Sequence, residues 1–180
     1  MLTQIFAEEV LEIYQNQPVS HQKKYQIGPS NIEVIFCGLN HTDHFTKALA
    51  HLEVAELPNI DLTIYVADQA NSGLKLPKPS WDWTEVRDNG YIPTFDDANV
   101  TANFTQLTNT FYLLDRKKRI AVYWTLNVQE LPEWERSFPF RYVLSHFWRI
   151  QPHILMLHAG AVGTENGGLL LTGKDRKSVV

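Results

Sequence analysis

Apolar residues recur at near-helical spacing from Thr3 to Gln15, with Ile5, Phe6, Val10, Leu11, Ile13 and Tyr14 falling together, so the spacing predicts an amphipathic helix that stops before Pro18. Val19 to Ser30 is polar and holds Gly28-Pro29, which reads as a loop; Asn31 to Cys37 follows as a strand. Asn40 or Thr42 is placed to cap a helix reaching about Glu53, with Phe45, Ala48, Leu49 and Leu52 turned inward. Leu57-Pro58-Asn59 breaks it, and Asp61 to Ala67 alternates as a strand through Leu62, Ile64 and Val66. Thr110–Leu114, a charged turn over 115–118, and Arg119–Thr125 make the clearest hairpin in the chain. Pro139 to Ile150 is apolar nearly all round, which predicts a buried helix ending at Gln151-Pro152. Two short apolar runs close the sequence: Ile154–Leu157 and Leu169–Thr172, each strand-like, with Gly167-Gly168 as the turn before the second.

This order mixes helices with paired strands and lacks the regular strand-helix alternation of a doubly wound sheet. It predicts an α+β fold with a mixed, mostly antiparallel sheet. No repeat, heptad or low-complexity linker interrupts it, and organisation alone puts one boundary near residue 150, giving segments 1–150 and 151–180. The 44% hydrophobic content argues for a packed core, and a net charge of −4 provides no basic footprint for nucleic acid. No stretch reaches about 18 apolar residues, so no membrane span is expected. Residues 1–11 contain Glu8 and Glu9 without a basic leader, unlike a signal peptide. One cysteine, Cys37, cannot form an internal disulfide and suits a reducing cytosol, where such a thiol in an apolar strand is usually inert. The sequons at Asn40, Asn99 and Asn103 carry little weight without secretion.

Several clusters each admit two uses. His41, His44 and His51 fall within roughly 80° of one face of their predicted helix at 100° per residue, with Asp43 adjacent. They could ligate a metal, but without i, i+4 histidine pairs a solvated polar face is the commoner outcome. Trp81 and Trp83 flank Asp82 in an irregular loop, fit either for stacking on a base or sugar or, more commonly, for packing over a sheet edge. Asp96 and Asp97 are an acid pair or a turn. Arg116, Lys117, Lys118 and Arg119 form a basic run suited to a phosphate or an acidic partner, or, more commonly, a solvated turn that protects the sheet from edge pairing. His146, His153 and His158 bracket the last helix and strands, where a core or strand-end histidine is the ordinary case.

The strand Leu169–Thr172 runs into Gly173, where a phosphate-binding loop would begin. Such a loop needs Gly, four residues, then Gly-Lys-Ser/Thr. Counting from Gly173 puts the lysine position on Val179; counting back from Lys177-Ser178 puts the glycines on Arg176 and Leu171. The loop is therefore two residues short, with side chains where the backbone must approach phosphate.

The run Leu157-His158-Ala159-Gly160-Ala161-Val162 followed by Gly167-Gly168-Leu169-Leu170-Leu171-Thr172-Gly173 resembles the start of the catalytic core of HPr serine kinase-like proteins, in the HPr kinase/phosphorylase and phosphoenolpyruvate carboxykinase superfamily. A weaker likeness extends to the Pro58-Asn59-Ile60-Asp61-Leu62-Thr63-Ile64 junction. The resemblance implies that 151–180 is the beginning of a P-loop kinase-like core, and that ATP and magnesium are cofactors of an intact relative. Gly173, Lys174, Lys177 and Ser178 become the nucleotide-binding candidates, Ser178 also the magnesium-binding hydroxyl, and His158 the one candidate for a catalytic role near the phosphates. Family members continue into metal-binding carboxylates and a catalytic acid or base that have no counterpart here. The expectation is an amino-terminal part of a cytoplasmic, ATP-dependent phosphotransferase acting on a protein or small-molecule acceptor. It would be ended by truncation or a reading-frame change, inactive alone, and prone to pair with itself through exposed strands. The alternative is a non-catalytic α+β binding or interaction module whose glycine-rich end is only a hairpin.

Overall fold

A computed structural model describes residues 2–38, 42–79, 81–157 and 159–172. The contacts divide the chain into two compact units, 1–147 and 148–180.

The first unit is built on a seven-stranded sheet in the order β1-β2-β3-β7-β6-β5-β4. Its strands are β1 (Val19–Ile27), β2 (Ser30–Cys37), β3 (Leu62–Asp68), β4 (Tyr91–Asp96), β5 (Val100–Thr105), β6 (Thr110–Asp115) and β7 (Ile120–Thr125). Strands β4 to β7 form an antiparallel meander, β1 and β2 an antiparallel hairpin, and β3 lies parallel to both β2 and β7. The fold is α+β with a mixed, mostly antiparallel sheet, as the order of elements predicts.

Both faces of this sheet are covered, because residues two apart along each central strand point the same way. On one face Phe111, Leu113, Val122 and Trp124 pack with Phe6, Val10, Leu11 and Tyr14 of α1 (Leu2–Gln15). The opposite face carries Val34, Phe36, Ile64, Val66 and Tyr123, all buried. Here Phe45 of the short helix α2 (Asp43–Thr46) meets Tyr123 edge-on at 5.5 Å and stacks on Phe140 at 5.7 Å. After α2 the backbone tightens into a 3-10 turn, Lys47–Leu52. Three further helices follow: α3 (Gln69–Ser72), α4 (Glu133–Ser137) and α5 (Arg141–Trp148).

Each of the sheet's two edges is partly covered. Beside β1, Val54 N–H donates to Lys24 O at 2.9 Å and Lys23 pairs with Glu53. On β4, Pro93 has no N–H to offer, and Thr3 Oγ1 of α1 donates to Thr94 O.

Several sequence expectations change. Val19–Ile27 is a strand, not a loop: only Tyr25 is buried along it, so it shows no apolar alternation, and its pairing with β2 around Gly28-Pro29 holds it. The helix expected to reach Glu53 is α2 followed by the 3-10 turn, with Phe45 and Leu49 inward as predicted. The predicted helix over 139–150 begins two residues later as α5, after a separate turn, α4.

The second unit contains an antiparallel hairpin, β8 (Ala159–Thr164) and β9 (Gly167–Thr172). Ile154–Leu157 is not a strand; the first strand lies further on, in a run of small residues, and Glu165-Asn166 is its two-residue turn. Gly163 and Gly168 face each other across the pair, where a Cβ on either would come within 3.1 Å of the partner backbone.

Candidate functional site

The resemblance concerns the end of β9, and there the hairpin has an unusual surface. Val162 pairs with Leu169, so both share a face with Leu171, while Leu170 points to the other face. All four are more than half exposed, from 56% for Leu170 to 72% for Leu169. Among the described residues no third strand joins either rim. A strand pair apolar on both faces differs from a hairpin with one core-facing and one wet side. His158, Gly173, Lys174, Lys177 and Ser178 lie outside the described residues.

The other clusters resolve individually. Trp81 is 6% exposed and packs against Phe6, Phe95 and Phe111, with ring centroids 5.2 to 5.7 Å apart, so it belongs to the core. Trp83 leans on Phe104 and is half exposed; Asp82 between them caps a short turn by accepting from Thr84 N–H, which holds its carboxyl below the usual range. Asp97 is a turn residue, its Oδ1 accepting from Asn99 and Val100 N–H at 2.7 and 2.8 Å. Asp96 faces Arg116 at 3.5 Å, and Arg116 Nη1 donates to Asp97 O at 2.8 Å. The first residue of the basic run is thus not part of a solvated turn: its side chain is 7% exposed and ties the β6–β7 turn to the β4–β5 turn. Lys117, Lys118 and Arg119 are exposed.

Asp68 sits at the end of β3, where open parallel sheets commonly bind ligands. Its acceptors are already used: Oδ1 takes Ala70 N–H at 2.9 Å, and Oδ2 takes Val128 N–H at 3.2 Å and the Asn71 amide. It is a clip between β3 and the segment after β7. Cys37 donates to Tyr14 O at 3.7 Å, and burial pushes its thiol up to about 11, so it is protonated and unreactive near neutrality. Asn103 is buried and donates to Asn89 O, which closes one of the three sequons. His44 is half-buried and His51 exposed, while His41 lies outside the described residues. Among the described residues no group of three His, Cys, Asp or Glu side chains could hold a metal. No helix among them is long and apolar enough to cross a membrane.

Two features escaped the sequence reading. Glu135 of α4 is 4% exposed, and its Oε1 accepts from Tyr123 OH at 2.9 Å. Burial raises its pKa above that of an ordinary glutamate, while the Tyr123 hydrogen bond and the Arg141 charge pull the other way. The folded protein therefore holds this proton more tightly than the unfolded chain does. Stability contributed by the protonated carboxyl is complete below the unfolded pKa and is lost as pH rises through the raised folded value. Glu135→Gln keeps an acceptor for Tyr123 without the ionisation. In urea melts at a series of pH values, the wild type is expected to lose stability relative to the variant across that window; parallel curves would contradict it.

The second feature is a cavity of about 570 Å3 between α2 with its 3-10 extension and α4. Asp43, His44, Lys47 and Ala48 line one side, and Glu133, Arg136 and Ser137 the other. Arg136 Nη2 pairs with Glu133 at 3.1 Å. These walls come from positions some ninety residues apart in sequence, so no local motif could announce them.

No family model, curated protein or solved structure matches the chain.

Proposed function

We propose that this chain provides the leading α+β domain and the first core strands of an ATP-dependent phosphotransferase of the HPr serine kinase-like type. The observation that carries the reading is the β8–β9 hairpin, apolar on both faces, with no third strand on either rim among the described residues, and followed in sequence by Gly173. A strand pair of this composition is stable only when helices and further strands cover it, which is the setting of the first strands of a phosphate-loop core. The same rims favour self-association when nothing else covers them. Residues 1–180 alone do not transfer phosphate in this reading, since Lys177 and Ser178 arrive two positions early for a working loop. Magnesium and ATP, the metal held through a loop hydroxyl, belong to the intact relative, and a protein or small-molecule acceptor completes the reaction.

Two measurements test this. Sequencing the parent locus past the codon for Val180 is expected to reveal a Gly-x-x-x-x-Gly-Lys-Ser loop and later carboxylates, in this or an adjacent frame. Titrating the 180-residue chain with magnesium ATP is expected to show no saturable binding. A locus without such a sequence removes the phosphotransferase reading, and tight magnesium-dependent binding by the chain itself removes the claim of an incomplete site. The cavity between α2 and α4 favours a second reading, a non-catalytic binding module.

A further inference from the structure

The cavity between α2 and α4 is lined by the donors His44, Lys47 and Arg136 and by the carboxylates Asp43 and Glu133. Arg136 and His44 are half-buried, whereas Asp43, Lys47, Glu133 and Ser137 are exposed. The side chains of Asp43, His44 and Lys47 form no hydrogen bond or ion pair with other described residues. Only one edge of Arg136 is engaged. Its Nη2 pairs with Glu133, and Nε is packed away from solvent, which leaves the other terminal nitrogen, Nη1, without a partner among the described residues. The guanidinium, 34% exposed at its side chain, thus keeps terminal N–H donors that are not used by the protein.

We infer that this cavity is a binding site for a small organic oxyanion, a carboxylate or a phosphate monoester. The oxyanion accepts from Arg136 and Lys47, with His44 as a further donor, and Asp43 and Glu133 accept hydroxyl or ammonium hydrogens from the rest of the ligand. Its volume falls in the usual range of small-ligand pockets, roughly 300–1,000 Å3. The carboxylates make the lining formally balanced, so a bare oxyanion binds weakly and saturates only at high concentration, and donors elsewhere on the ligand strengthen it. The inference does not depend on the phosphotransferase reading.

The test uses the full chain, labelled with 15N and titrated separately with inorganic phosphate, with acetate, and with chloride at matched ionic strength. Saturable shifts are expected in the amides of 43–48 and 133–137 and in the Arg136 Nε–H resonance, with either oxyanion and not with chloride. Saturation by phosphate alone assigns a phosphate ester, and saturation by acetate assigns a carboxylate. Arg136→Lys keeps the charge but removes the fork, and is expected to weaken binding about tenfold, the worth of one hydrogen bond to a charged group. If that variant does not fold, Lys47→Gln, at an exposed position, decides, with a several-fold loss expected. Linear, unsaturated shifts, shifts equal to those with chloride, or binding unchanged in the folded variants would overturn the site.

Discussion

Phe45→Ala is expected to destabilise the protein by about 3–5 kcal/mol, the range for removing a fully buried aromatic ring. Phe45 is 1% exposed and touches three other rings: Phe36 at 6.2 Å, Tyr123 at 5.5 Å and Phe140 at 5.7 Å. It is also the one buried residue of α2, a four-residue helix with no side-chain cap, which is far too short to persist in water on its own. Losing the ring removes what holds this helix to the sheet, and with it one wall of the cavity that Asp43, His44 and Lys47 line. Urea denaturation followed by tryptophan fluorescence measures the loss. A change below about 1 kcal/mol would mean that the ring does not occupy the packed position between sheet and helices.

Gly90→Ala carries the second large effect. Gly90 has φ +81°, donates to Arg87 O at 2.7 Å and accepts from Phe104 N–H at 2.9 Å, which locks it against β5. A Cβ there would stand 2.8 Å from Phe104 O and collide with Asn103 Oδ1. The obstruction cannot swing aside, because Phe104 O is backbone in a strand paired with β6 and Asn103 is itself held by Asn89 and Thr105. Left-handed strain and the clash together are expected to cost about 2–4 kcal/mol. Gly28 and Gly73 are the controls: their φ values are +58° and +73°, but nothing lies within 4 Å of an added Cβ. Alanine there is expected to cost only about 1–2 kcal/mol. Equal losses at all three positions in thermal or urea melts would show that the close approach at Gly90 is not real.

The elements legible in the sequence are those whose own side chains settle their burial. Phe6, Val10, Leu11 and Tyr14 mark one face of α1, and the apolar runs of β2, β3, β6 and β7 mark strands packed on both sides. β1 was illegible because eight of its nine residues stay partly or wholly wet, and its conformation comes from hydrogen bonds to β2. β8 was illegible for a related reason: Ala159 to Thr164 is a run of small residues that becomes a strand by lying against β9. In both cases the information resides in the partner.

The candidate chemistry divides along the same line. Local composition pointed to the glycine ending of β9 and to the histidines around Asp43, because each depends on neighbours a few residues away. Arg116 looked like one charge in a solvated turn, yet Asp96, twenty positions earlier, draws it into a buried tie. Glu135 belongs to no local motif, and only its burial raises its pKa above that of an ordinary glutamate, against the pull of the Tyr123 hydrogen bond. What the amino-acid sequence determined by itself is the α+β class, the glycine-led end of β9 and the incomplete spacing from Gly173 to Lys177-Ser178. Only the tertiary structure decided which polar groups are buried, which edges are partly covered, and that α2 and α4 face each other across a cavity. The physical reason is that periodicity and motifs report a residue's neighbours along the chain, whereas burial, ion pairing and cavities depend on residues brought together from far apart in it.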